Sequence, residues 1–142
     1  MELAFFDTNI LVYLFDADYP EKQRQTEVLV SEAMANGSLM ISTQVLQEFY
    51  VITTRKLEVP LTSEQAEQAI RDLLAFTVVS VGGEMVLDAI QLCRRYELSF
   101  WDSLIIQAAL EGGAGILYSE DLQNNQRFGA LRIVNSFDKP NH

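Results

Sequence analysis

The chain has 142 residues, 49% of them hydrophobic, which suffices for one core and one domain over residues 1–142. Twenty acidic residues against ten basic ones leave a net charge of −10, which argues against tight, non-specific nucleic-acid binding through Lys and Arg. No apolar stretch approaches the roughly 20 residues that span a bilayer, no signal peptide opens the chain, and the one cysteine, Cys93, has no disulfide partner, so the expectation is a cytoplasmic protein without a membrane segment.

Residues 3–6, Leu3-Ala4-Phe5-Phe6, read as a short strand buried on both faces. The run stops at Asp7. In a parallel sheet this carboxylate lies at the carboxyl edge, where open α/β sheets place their ligands. Residues 9–15 read as a helical turn. Pro20 suits the first turn of a helix over 20–35, with Asn36-Gly37 as its stop. Residues 39–41 form a second strand, and Ser42 and Thr43 are candidate caps for a helix over 44–56. Its apolar stripe holds Val45, Phe49 and Ile52, with Leu46 more peripheral. Glu48 falls on the edge of that stripe, where a rim position and a functional one explain it equally well.

Pro60 interrupts the chain. Thr62 and Gln65 have the spacing of a capping box for a helix over 63–74. Residues 76–81 read as a third strand, broken by Gly82-Gly83. A helix over 84–96 is expected to bury Val86, Leu87, Ile90 and Cys93. Ser99-Phe100-Trp101-Asp102 resembles a capping box with Asp in place of Glu, and a carboxylate there is favoured by the helix dipole. The helix that follows is apolar almost all round and ends at Gly112-Gly113. Residues 116–119 are a fourth strand running into Glu120 and Asp121, and residues 131–134 a fifth, edge strand. The only histidine, His142, is terminal, which removes Ser-His-Asp chemistry and His/Cys zinc sites. Strands alternating with helices predict an α/β fold: a mainly parallel sheet of about five strands with helices on both faces.

Asp7, Glu48, Asp102 and Asp121 each have an ordinary structural explanation. Jointly they predict four carboxylates converging from separate elements on one sheet edge. Such a group repels itself unless cations or protons intervene. All-oxygen ligation suits Mg²⁺ or Mn²⁺, and the chemistry it serves best is phosphodiester hydrolysis.

Phe6-Asp7-Thr8-Asn9, Glu48 on its helix, Ser99-Phe100-Trp101-Asp102-Ser103-Leu104-Ile105 and Leu117-Tyr118-Ser119-Glu120-Asp121-Leu122 match, in order, the motifs of PIN-domain nucleases. The chain resembles that family over nearly its whole length, and in size and layout it is most similar to the VapC-type toxins of bacterial toxin–antitoxin pairs. The resemblance implies a three-layer α/β/α sandwich and a Mg²⁺- or Mn²⁺-dependent endoribonuclease acting as a homodimer. It also implies silencing by a small antitoxin, which would insert an Arg or Lys into the acidic pocket. Asp7 and Asp102 would be the principal metal ligands, with Glu48 and Asp121 completing the set directly or through water. Asn9 and Ser119 match positions that orient the acids, whereas the side chain of Glu120 should point elsewhere. RNA contact would fall to cations such as Arg55, Lys56 and Arg127. The competing readings are a PIN nuclease outside any toxin pair, a PIN nuclease for structured DNA, a non-catalytic PIN scaffold, and a receiver domain with Asp7 as phosphoacceptor. The last lacks an acidic pair after the first strand, and its nearest lysine to the fifth strand is Lys139, in the tail.

Overall fold

The computed structural model describes residues 2–138. Lys139 and His142 of the tail lie outside them. Strand β1 (Ala4–Phe6) is fully buried and leads directly into a short helix, α1 (Thr8–Val12), and a 3-10 turn (Tyr13–Phe15). Helix α2 (Pro20–Ala35) has Pro20 at its first position, where the missing N–H costs no hydrogen bond, and is followed by Gly37 at φ 72°. Strand β2 (Leu39–Ser42) hands over to α3 (Thr43–Arg55), whose Val45 N–H bonds the hydroxyl of Ser42. Helix α4 (Ser63–Leu73) opens with the expected capping box, both bonds between Thr62 and Gln65 being formed.

Strand β3 (Thr77–Val79) precedes α5 (Gly83–Tyr96), and α5 leads to α6 (Phe100–Glu111). The buried residues of α5 are Met85 and Ala89; Leu87, expected inside, is 62% exposed. Positions 85 and 89 stand one turn apart on the side turned to the core, and Leu87 is rotated away from both. Cys93 is only partly buried, its thiol donating to the Leu98 carbonyl at 2.9 Å. Helix α6 buries Ser103, Leu104, Ile105, Ile106, Ala108 and Ala109, as its apolar sequence requires. Its end comes so close to the sheet that a side chain on Gly112 would meet the Met40 sulfur at 2.5 Å.

Strands β4 (Ile116–Tyr118), β5 (Arg127–Phe128) and β6 (Leu131–Val134) complete a six-stranded sheet in the order β3-β2-β1-β4-β6-β5. The sheet has six strands where about five were expected, and it is mainly parallel as expected. The expected fifth, edge strand is β6, and it is interior. The edge is β5, a two-residue strand too short to show a period in the sequence. All pairs are parallel except β5–β6. The chain steps outward from β1 to β2 and β3, then returns across the sheet to β4 beside β1. Right-handed crossovers put α2, α3 and α4 on one face and α5 and α6 on the other, giving the expected three-layer α/β/α sandwich. The order reverses between β1 and β4, so a crevice opens at their carboxyl ends. Among the described residues, no helix is long and apolar enough to cross a membrane.

Candidate active site

Asp7 sits at that crevice. Its N–H still follows the sheet, donating to the Tyr118 carbonyl at 3.0 Å, while its carboxylate turns to cap α1. Oδ1 accepts the Thr8 N–H at 2.7 Å and Oδ2 accepts the Ser119 hydroxyl at 2.9 Å. Ser119 is fully buried just past β4, so two adjacent parallel strands fix one carboxylate. Asp7 itself is 7% exposed. Burial pushes its carboxyl up to about 6; the bonds from Ser119 and Thr8 pull the other way, and the charges of Asp102 and Asp121 add to the rise.

Glu48 lies on α3. Its Oε1 accepts the Thr8 hydroxyl at 2.6 Å and its Oε2 accepts the Gln44 amide at 3.3 Å. Thr8 thus serves two acids, through its backbone for Asp7 and its side chain for Glu48. The same Gln44 nitrogen donates to the Trp101 carbonyl at 3.2 Å, tying α3 to the start of α6. With both neighbours accepting, the amide orientation is fixed, and its Oε1 is buried with no partner. Asp102 is half-buried in the first turn of α6, where the Ser99 hydroxyl accepts its backbone N–H at 3.1 Å. Burial raises its carboxyl above the usual range, the Ser99 hydroxyl opposes this, and the charges of Asp121 and Glu48 reinforce it. Asp121, exposed after β4, accepts the Asn9 side-chain amide at 3.0 Å.

All four acids line one pocket of about 550 Å³, together with Thr8, Asn9, Gln44, Gln47, Val51, Ile52, Lys56, Trp101 and Ile105. They come from four separate elements and sense one another electrostatically. Among the described residues, the side-chain ion pairs are Lys22–Glu120, Arg24–Glu21 and Arg71–Glu67, none of which neutralises the four. Nor do three or more of the described acids, cysteines and histidines form a closed ligand cage. The carboxylates ring the pocket instead. That arrangement fits Mg²⁺, which keeps several waters and takes only one or two carboxylates directly.

Glu120 turns away from the pocket, accepting the Tyr13 hydroxyl at 2.6 Å and pairing with Lys22. Of the three cations expected near the edge, Lys56 lines the pocket. Arg127 does not: on β5 it pairs with Arg132, which is in register with Ile116 at the start of β4, away from the carboxyl ends. Two contributors were not anticipated, Thr8 and Gln44. The only trace of Gln44 in the sequence is its i,i+4 spacing from Glu48 on one helix face.

The family model described as "PIN domain" matches residues 4–127. No curated protein matches the sequence. Among solved structures, the chain is similar to a toxin–antitoxin complex from Klebsiella pneumoniae, with a TM-score of 0.68 at 19% identity, covering 96% of this chain and 99% of that one. It is also similar to Mycobacterium tuberculosis VapC20, a sarcin-ricin loop cleaving toxin, with a TM-score of 0.63 at 21% identity over 83% and 89% of the two chains. A third likeness is to VapBC2 from Rickettsia felis, solved with a promoter DNA fragment, with a TM-score of 0.64 at 18% identity over 92% and 96%. At these identities the likeness is one of fold.

Proposed function

The chain belongs to the PIN-domain family, and on that premise we propose that it is a metal-dependent endoribonuclease, the toxin of a VapBC-like pair. The observation that carries this reading is the pocket itself, with Asp7, Glu48, Asp102 and Asp121 delivered to one crevice from four separate elements. Asp7 and Asp102 would hold a Mg²⁺ or Mn²⁺ ion, with Glu48 and Asp121 completing the set directly or through water. Such an ion, when bound, would lower the pKa of a water for attack at neutral pH and offer positive charge to the phosphate oxygens.

The protein's own part is placement. Ser119 and the Thr8 N–H hold both oxygens of Asp7, and each oxygen keeps acceptor capacity beyond that one bond. The Thr8 hydroxyl and Gln44 hold Glu48, and Asn9 holds Asp121. Three of the four carboxylates are thereby oriented before a substrate arrives, so little reorganisation is left for the reaction. The likeness to VapBC assemblies supports a small antitoxin as partner, and the family resemblance supports a homodimer working in the cytoplasm.

The test is incubation of the purified protein with RNA. Cleavage is expected with Mg²⁺ or Mn²⁺, leaving 5′-phosphate and 3′-hydroxyl ends, and is abolished by EDTA and by Asp7→Asn. Cleavage that persists in EDTA, or 2′,3′-cyclic phosphate products, contradicts the mechanism, because the 2′-hydroxyl would then be the nucleophile.

A further inference from the structure

We propose that the pocket carries, beside its four acids, a subsite for one unstacked nucleobase of single-stranded RNA, with the indole of Trp101 as the stacking face. This rests on the ribonuclease reading above and assigns the residue that grips a base beside the acids.

Trp101 is the only tryptophan in the chain, and it is 61% exposed. A large aromatic ring left in water wastes its capacity to bury surface. Here the backbone is fixed and one edge of the ring is packed. Gln44 bonds the Trp101 carbonyl at 3.2 Å, and Phe100 packs edge-on at 5.2 Å between centroids with a 76° interplanar angle. Trp101 lines the pocket beside Asp102, so a base on the indole lies next to the carboxylates. The pocket continues from Glu48 along α3 as Val51, Ile52 and Lys56. Lys56 is eight residues on, about 12 Å along the helix axis. Beside its four acids the lining therefore carries one indole, the apolar Val51, Ile52 and Ile105, and a single cation, Lys56.

Charge decides how RNA can be held there. A chain of net charge −10 cannot hold RNA chiefly by its phosphates, and Lys56 is the one cation among the lining residues. Binding must draw on the bases. Stacking of a base on an aromatic side chain supplies this without sequence preference, and only an unpaired base offers its face. A duplex hides its bases and brings more phosphate to the acids.

The single tryptophan makes the test direct. Fluorescence of the Asp7→Asn variant, which leaves the RNA intact, is titrated with a short single-stranded RNA of mixed sequence. The same RNA annealed to its complement, and the same length of abasic strand, are titrated in parallel. Saturable quenching by the single strand, with duplex and abasic strand at least tenfold weaker, is expected. Lys56→Ala should flatten the salt dependence of binding by about 0.7 in the log–log slope. In cleavage assays Trp101→Ala should raise KM roughly ten- to hundredfold, with kcat changed less, and Trp101→Phe should restore most of the loss. Equal quenching by the abasic strand, an unchanged KM in Trp101→Ala, or quenching by a protein partner but not by single-stranded RNA would overturn the subsite. Quenching is read without turnover, so a protein that cleaves no RNA yet discriminates single from abasic strands keeps the subsite and loses the ribonuclease reading.

Discussion

On the proposed function, Asp7 is the residue on which stability and activity would pull in opposite directions. Burial raises its carboxyl from 3.8 to about 6. The folded protein therefore holds this proton more tightly than the unfolded chain does. The stabilisation is complete below pH 3.8 and is lost as pH rises through about 6. A shift of about two units corresponds to about 3 kcal/mol, a large share of a small domain's stability. Asp102 shifts in the same direction and adds to the trend. The metal-free protein should thus lose melting temperature between pH 4 and 6.5, and Asp7→Asn should flatten that fall and melt higher above pH 6. The carboxamide can still accept the Thr8 N–H, and the Ser119 hydroxyl can rotate to accept its NH₂. Thermal melts in EDTA across this range check it; a variant that melts lower at every pH would mean that the fold needs the anion. Asp102→Ala behaves differently. Ser99 caps through the backbone N–H of residue 102, which alanine keeps; what is lost is the favourable first-turn carboxylate, ~0.3–1 kcal/mol, with its bond to the Ser99 hydroxyl, against relief of repulsion from Glu48 and Asp121. Its apo melting temperature should move little while its cleavage disappears.

Among the elements, the segment after β4 depends most on distant support. Ser119 is tied to Asp7, Glu120 to Lys22 and Tyr13, and Asp121 to Asn9. Lys22 on α2 is packed among the rings of Tyr13, Tyr19 and Phe137, with its nitrogen 5.1, 5.7 and 5.1 Å from their centroids. This clamp touches no substrate position, yet it holds the residue between two members of the site. Glu120→Gln or Lys22→Met should lower kcat about tenfold, with KM and secondary structure retained; an unchanged kcat would mean that Asn9 alone fixes Asp121. Such a contact was not legible in the sequence, because Lys22 and Glu120 stand 98 positions apart and each reads as ordinary surface charge. The same holds for Gln44 and Trp101, 57 positions apart. What was legible is what local chemistry dictates. Pro20 and Asn36-Gly37 punctuate α2, Thr62 and Gln65 open α4, and Asp7 and Asp102 interrupt apolar runs where a carboxylate has no place in a core. Where apolar residues surround a helix loosely, as on α5, the pattern picked Leu87 in place of Met85 and Ala89, since it cannot weigh a small residue's fit.

For the whole molecule, the net charge of −10 and the unneutralised pocket set the terms of inhibition. Four carboxylates in one crevice attract any cation that can enter, and each cation bound relieves the repulsion that raises Asp7 and Asp102. A guanidinium is well suited to that role, since its fork bonds two carboxylate oxygens at once and competes with the metal for them. The expected partner is a small antitoxin with a segment that folds onto this chain and carries an Arg or Lys towards Asp7 and Asp102. Its remaining anchors should be apolar and sit in grooves between surface helices, because a single charge-assisted contact gives little affinity at cellular salt. A separate DNA-binding part on the antitoxin would let so acidic a chain reside in a DNA-bound complex without touching DNA itself. Expression of the chain alone should arrest growth of the host, and Asp7→Asn should not. Pull-down from the native host should recover a stoichiometric small protein, and replacing its pocket-facing Arg or Lys with Ala should weaken binding at least tenfold and restore cleavage. Replacing Asp7 with Asn should weaken that same complex, because one arm of the fork is lost. Harmless expression of protein shown to cleave RNA, with no partner recovered, would separate the two halves of the proposal and leave a PIN nuclease that is not a toxin.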